Sequence, residues 1–428
     1  MRTVGIIAEY DPFHSGHAYQ LDAARKAAGA DYVIVVMSPD FLQRGEPALF
    51  DKWTRARMAL EAGADLVLEM PVRFAAGSAE YFARGGVGLL NALGCVDALS
   101  FGCEDEEKFG YLEKAAAFFA GEEPEDYKKI LKERLREGVS FPRARAEAFV
   151  RILSSRQGVS GCGPDESAEE IAAVLSRPNN ILAVEYQKAA LRLGSSMEMI
   201  PVKRLGNYHA CSSPDRIHTE QEKDSDAGIW DAARPFVSAS AIRAALLENG
   251  MTLPAALKSQ LPETSLRLMV EEIRCGRYVV AGDLDLILHK ALLDNQDELQ
   301  AYLDIDDELA NRIRRCLGSY TGFTDFSALV QSKQYTLARI RRSLLHVLLG
   351  IKKGETQVSC ARVLGFRKTA QPLLRMIRDK SSVPLSTSVP FSEIPKEDVD
   401  AAHLWEMIAV GRTGRPLRNE QQRQIITL

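Results

Sequence analysis

Two imidazoles flanking a glycine, in His14-Ser15-Gly16-His17, are the residues of this sequence best placed to do chemistry. They follow an apolar run, Thr3-Val4-Gly5-Ile6-Ile7, and a turn marked by Asp11-Pro12. They lead into a pattern with Leu21, Ala24 and Ala28 on one helical face. A strand that turns into a helix N-terminus leaves backbone N–H groups unpaired where the helix dipole favours anions. Gly16 lets a ligand approach the backbone, and the imidazoles add donors at the same spot. The combination suits a nucleoside triphosphate. From seven His and 30 Gly in 428 residues, a chance His-x-Gly-His is expected roughly 0.008 times. The competing reading, in which His14 and His17 only cap a helix or fill a surface turn, needs no ligand.

The elements that must position this turn follow from periodicity. Residues 31–37 form a nearly continuous apolar strand of the kind that parallel sheets bury on both faces. After a loop through Pro39 and Pro47 come a helix at 52–62, a strand at 64–70 closed by Pro71, and a helix from Ser78 towards Leu93. A fourth strand, 96–101, ends at Gly102. This alternation predicts an α/β class, Rossmann-like doubly wound parallel sheet with its site at the carboxyl ends of the strands. Residues 106–154 read as helical, 155–167 as a Gly-rich loop and 215–231 as a polar, mobile loop. A helix starts near Asn180, a strand spans 197–203, and Ser238 opens another helix. Beyond Gly250 the pattern is almost wholly helical to about Asp379. Two domains are therefore expected, an α/β unit at 1–250 and a mostly helical one at 251–428.

The composition is that of an ordinary globular protein, with 46% hydrophobic and 26% charged residues. A formal net charge of -4 excludes a generic polyanion binder, so any nucleic-acid contact must come from a local patch. Seven scattered cysteines without a Cys-x-x-Cys argue against a zinc ribbon or disulfide framework. The chain enters a strand at once, leaving no room for a signal peptide, and no apolar run is long enough for a membrane. A cytoplasmic protein is expected. The local patch exists: residues 331–380 hold five Lys and seven Arg against Glu355 and Asp379, a net +10. Arg339, Arg342 and His346 fall on one helix face, with Lys352 and Lys353 just beyond. Such a one-sided excess points to an RNA-phosphate surface, unless it is an ordinary basic face.

The longer run Glu9-Tyr10-Asp11-Pro12-Phe13-His14-Ser15-Gly16-His17, with Phe41-Leu42-Gln43-Arg44-Gly45-Glu46-Pro47-Ala48 and Lys52-Trp53, resembles the bacterial tRNA(Met) cytidine acetate ligase family. The His-x-Gly-His turn itself is similar to the signature of the nucleotidyltransferase superfamily. The family usually has Asn where this chain has Asp11. The resemblance is strongest up to Gly102, recurs in short blocks to Arg243 and is looser beyond. It implies that Ile7, Ala8, Glu9, Tyr10, Asp11, Pro12, Phe13, His14, Ser15, Gly16, His17, Ala18, Tyr19 and Gln20 cradle ATP. His14 and His17 would be the catalytic donors.

The same resemblance carries an ATP contact over to Gly102, to Asn179 in Pro178-Asn179-Asn180, and to Arg204 at a strand end. Their plainer readings are a turn glycine, a helix cap and a solvated charge. Ser238-Ala239-Ser240-Ala241-Ile242-Arg243 resembles the second nucleotidyltransferase signature, with Ser238 and Arg243 on the β- and γ-phosphates. A plain Ser N-cap is the alternative, although Arg243 in a first helical turn opposes the dipole. Arg44 could pair a small carboxylate and Trp53 could stack a base, with a structural loop and a core tryptophan as the rival account.

The implied activity is an ATP-dependent ligase. It would activate acetate as acetyl-adenylate, release pyrophosphate, and acetylate the wobble cytidine of elongator tRNA(Met). Mg²⁺ is expected to screen the triphosphate, with no dedicated metal ligands in the chain. The tRNA contacts would fall to Arg339, Arg342, Lys352 and Lys353. A nucleotidyltransferase acting on a small phosphorylated metabolite shares the first motif but has no use for the basic helices. A non-enzymatic tRNA-binding protein would not need the His-x-Gly-His turn.

Overall fold

The structure, a computed structural model, describes residues 1–157, 167–204, 236–354, 357–387, 394–418 and 420–428. The loop read at 215–231, and most of that at 155–167, lie outside the described residues. The first part alternates as periodicity dictates: β1 (Thr3–Ala8), α1 (Ser15–Ala28), β2 (Tyr32–Met37), α2 (Lys52–Glu61), β3 (Leu66–Glu69), α3 (Val72–Ala75), α4 (Ala79–Ala92) and β4 (Ala98–Cys103). Five helices follow, α5 (Phe109–Ala120), α6 (Glu125–Arg136), α7 (Phe141–Gln157), α8 (Ala168–Leu175) and α9 (Pro178–Leu193), and then β5 (Glu198–Lys203). Next come α10 (Ala239–Glu248), α11 (Ala255–Lys258), α12 (Glu263–Arg274), α13 (Asp285–Asp294), α14 (Asp307–Cys316), α15 (Phe323–Val330) and α16 (Leu337–Leu349). The chain closes with β6 (Ala361–Phe366), α17 (Gln371–Lys380), β7 (Leu385–Ser386), α18 (Lys396–Thr413) and β8 (Ile426–Thr427).

Five strands are parallel in the order β5-β4-β1-β2-β3. The order reverses between β1 and β4, which opens a crevice at their carboxyl ends, where such sheets take ligands. Every residue of β1 is buried, so one face packs Ile7 against α4 and the other packs Val4 and Ile6 against α1 and α10. The helices α13 to α16 bury a core of their own around Leu288, Ile313, Phe326 and Leu344.

One expectation is corrected here. Within the stretch read as helical to Asp379, residues 361–366 are β6, paired antiparallel with β3 and carrying β7 and β8 on its far edge. The sheet is therefore mixed, and the chain returns to it after the helical unit. The reason is tertiary: Ala361, Val363 and Leu364 find their burial against elements of the first half.

The return is fastened by buried charge. Lys52 Nζ lies 2.7 Å from Glu69 and 2.6 Å from Glu420, and Arg362 bridges Glu69 and Glu420. Burial and the neighbouring Arg362 work against the Lys52 ammonium, yet Glu420, Glu69 and Asp40 hold its pKa above the usual value. Trp53 Nε1 also donates to Glu420. Lys52 and Trp53 thus belong to the interior, which removes Trp53 as a base-stacking surface. Replacing Lys52 with Met leaves carboxylates buried with one cation fewer, at a cost of about 3–5 kcal/mol. Chemical denaturation checks this; a loss below about 1 kcal/mol means that the cluster does not hold the C-terminal segment in place.

Candidate active site

The turn between β1 and α1 is built by its own histidines. His14 is the N-cap of α1, and its Nδ1 accepts the Gly16 N–H at 3.1 Å. His17 Nδ1 accepts the His14 N–H at 3.3 Å, so the two rings cap the helix reciprocally. They stack at a centroid separation of 3.8 Å, with Tyr10 and Phe13 against His17. A Cβ at Gly16 would lie 2.9 Å from the His14 ring, so the glycine makes room for the cap itself.

The two readings of this turn are therefore compatible. Burial, reinforced by Arg204, depresses the His14 pKa to about 3, and burial with His14 and Arg204 holds His17 well below its ordinary value. Both rings are neutral at physiological pH. A ring nitrogen that accepts a hydrogen bond carries no proton, so each imidazole keeps its proton on Nε2. The capping bonds thus fix both histidines as Nε2–H donors.

The backbone half of the expected phosphate cradle is corrected. Ser15 N–H is bonded to Gln260 O, Gly16 N–H to the His14 ring, and the His17 and Ala18 N–H groups to His14 O. These first-turn donors are already satisfied, whereas the imidazole Nε2–H groups are not part of the cap.

These rings face a cavity of about 1390 Å³ at the carboxyl ends of β1 and β4. Ile7, Ala8, Glu9, Tyr10, Asp11, Tyr19 and Gln20 line it with the histidines, as do Gly102, Asn179, Arg204, Ser238 and Arg243. Pro12, Phe13, Ser15 and Ala18 do not; Phe13 and Ala18 pack into the core beneath. The cap readings resolve unequally. Ser238 does cap α10, accepting the Ala241 N–H at 3.2 Å. Asn179 caps nothing: α9 starts with Pro178 at its first position, and Asn179 donates to Glu104 at 2.6 Å. Asn180, passed over in the sequence, is fully buried and bonds the backbone of Glu104 and Val174.

Asp11 is not a loose carboxylate beside the anion site. Its Oδ1 accepts the Leu49 N–H at 2.8 Å, and its Oδ2 lies 3.3 Å from Arg243, which also donates to the Asp11 carbonyl. Burial raises the Glu9 pKa against the pull of Arg44 and the Gln43 N–H. Arg44 lines the cavity and donates to Ser240 Oγ. Arg55, missed in the sequence, is fully buried and donates to the carbonyls of Glu9, Ser38, Pro39 and Phe50, clamping the ends of β1 and β2. A charged residue on the buried face of a helix was the available signal.

Several cations of the expected basic face carry carboxylate partners. Arg339 pairs with Asp306, Arg342 with Asp304, Arg341 with Glu46 and Lys352 with Glu298. His346 is fully buried between the carbonyls of Leu303 and Ala76 and leaves the solvent face altogether. Arg339 and Arg342 reach the cavity wall, whereas Lys352 and Lys353 are exposed outside it. Gly45 brings α16 there: at φ +78°, its Cβ position would lie 2.5 Å from the Arg342 nitrogen. Among the described residues no group of three or more His, Cys, Asp or Glu converges to hold a metal ion. No helix among them is long and apolar enough to cross a membrane.

A depressed histidine pKa has a definite sign in stability. The unfolded chain takes up these protons below pH 6.5 while folded His14 resists them to about 3, so stability is lost as pH falls through that window. His14→Asn keeps a capping side chain and should shrink the loss between pH 7 and 5 by about 1–2 kcal/mol. Equal losses in both proteins, measured by urea denaturation, would show that His14 titrates normally in the fold.

Comparison with known proteins meets this geometry from outside. The HIGH Nucleotidyl Transferase family model matches residues 1–416. The tRNA(Met) cytidine acetate ligase of Acetivibrio thermocellus is 34% identical over 396 residues, 90% of this chain and 88% of that protein. The protein of the same name from Thermoanaerobacter sp. (strain X514) is 36% identical over 398 residues, 91% and 89% of the two chains. Among solved structures, Thermotoga maritima TmcAL bound with alpha-thio ATP superposes with a TM-score of 0.82 at 31% identity, covering both chains completely. Its apo form gives 0.83. With its imidazole pair at the mouth of β1, the chain belongs to the tRNA(Met) cytidine acetate ligase family, within the HIGH nucleotidyl transferases.

Proposed function

We propose that this protein uses ATP and acetate to acetylate the N4 amine of the wobble cytidine in elongator tRNA(Met), in the cytoplasm. The observation that carries the proposal is the neutral imidazole pair that lines the cavity at the sheet's switch point with both Nδ1 atoms committed to the helix cap, which leaves the Nε2–H groups as its donors. An acetate oxygen attacks the α-phosphorus of ATP, the bond from that phosphorus to the α,β-bridging oxygen breaks, and the β- and γ-phosphates leave as pyrophosphate with the bond electrons. The N4 lone pair then attacks the acetyl carbonyl, AMP leaves with the carbon–oxygen bond electrons, and the amine gives up a proton. His14 and His17 donate to phosphate oxygens as charge builds on departing pyrophosphate, and Arg204 and Arg243 offset that charge. Ser238 and Gly102 border the same space, and Asn179 lies on its wall. Mg²⁺ would arrive on the triphosphate itself, which needs no protein cage.

The division of labour follows the expected halves. Residues 1–250 activate acetate, and the helices within 251–428 bring Arg339 and Arg342 to the shared wall, with Lys352 and Lys353 outside as further phosphate contacts. A volume of about 1390 Å³ exceeds the roughly 300–1,000 Å³ of ordinary small-ligand pockets, which favours a macromolecular acceptor over a small metabolite.

Incubation of unmodified tRNA(Met) with protein, ATP and acetate should yield N4-acetylcytidine by nucleoside mass spectrometry, together with stoichiometric AMP and pyrophosphate. Nucleotide transfer to a phosphorylated metabolite instead would replace this function. His14→Ala and His17→Ala should each lower acetyl-adenylate formation by about 100-fold or more. Near-wild-type rates in both remove the pair from the chemistry.

A further inference from the structure

The cavity does not end at the nucleotide. It runs on to a wall made by the end of α6 and the start of α7, where Lys132, Leu135, Arg136 and Phe141 line it. Lys132, Leu135 and Arg136 stand at i, i+3 and i+4 and so share one face of α6. That face is exposed, with Leu135 40% accessible, and Phe141 at the start of α7 is 54% accessible. Among the described residues neither Lys132 nor Arg136 has a carboxylate partner, whereas their neighbour Arg134 is tied to Glu137 and Glu147. An exposed ring on one cavity wall with two cations that lack carboxylate partners is how proteins hold single-stranded nucleic acid: the ring stacks a base and the cations meet the backbone.

The charge of the whole cavity points the same way. Its lining includes eleven Lys and Arg side chains against six Asp and Glu, inside a protein of net charge -4. The lining also includes Lys333, Arg339 and Arg342 from the α16 side, so basic groups from both halves of the chain border the cavity.

We propose that the α6–α7 wall is a second RNA-binding jaw. Phe141 stacks on an unpaired base adjoining the target cytidine, while Lys132 and Arg136 hold the phosphates on either side of it. This rests on the reading of the protein as an RNA acetyltransferase, and it locates RNA contacts in the first half of the chain as well as the second.

The test uses the full chain and an anticodon stem–loop RNA of tRNA(Met). Lys132→Glu with Arg136→Glu should weaken RNA binding at least tenfold and flatten the slope of log affinity against log salt by about 1–2. Phe141→Ala should weaken it about 5- to 100-fold with little change in that slope. Phe141→Trp should bind like wild type, with indole fluorescence quenched by the RNA. ATP affinity should be unchanged in all three. RNA that binds the wild type and all variants alike, without quenching, overturns the jaw and leaves acetylation standing. Loss of thermal stability in Phe141→Ala without loss of RNA affinity also overturns it, because the ring is then covered by the protein itself. RNA that does not bind the wild type overturns both.

Discussion

Keeping two imidazoles uncharged next to a site for a tetra-anion is the constraint around which this molecule is arranged. A charged imidazolium would attract phosphate more strongly, but it would sit in a buried setting that penalises it and beside Arg204, which repels it. The structure takes the other route. On the proposed reading, arginines supply the full charges and the histidines serve as neutral donors whose direction is set by helix-capping bonds. Rigidity and polarity are thus separated between residue types. Two charged rings stacked 3.8 Å apart would repel each other.

The surrounding layers serve that arrangement. Arg55 fixes the carbonyls at the strand ends, and Asp11 holds both the Leu49 N–H and Arg243, so the chain before α1 has little freedom to turn. Tyr10, at φ +52°, is the non-glycine residue in left-handed backbone here, with its ring buried against Phe13 and His17. Local strain of this kind persists where the surroundings over-determine it. On the far side, Gly45 and the Arg341–Glu46 pair join the loop after β2 to α16. The basic helix is therefore coupled directly to the loop that carries Gln43 and Arg44.

How far the sequence reveals this depends on whether partners are local. The β1–turn–α1 unit was legible because its periodicity, its turn residues and its capping pair lie within a few residues of one another. So were β2 to β5, whose apolar runs need no distant knowledge. β6 was not, because Arg362 and Gly365 interrupt its alternation and its burial depends on Leu60, Glu69 and Ile426. The +10 count over 331–380 is offset in the fold for the same reason: Asp304, Asp306, Glu46, Glu298, Glu69 and Glu420 lie outside the window yet pair with its cations. Asn179 and Asn180 could not be told apart by pattern, since which one faces the cavity depends on how Pro178 starts the helix.

The return of β6 to the sheet also has a consequence for how the protein is made. A ribosome delivers β3 long before it delivers the strand that covers its outer edge. Throughout that interval Leu66, Val67 and Leu68 present an apolar, unpaired border to solvent, the kind of surface that nascent chains must have shielded. The sheet on which the His14–His17 turn is mounted is thus completed only after helices α13 to α16 have already emerged.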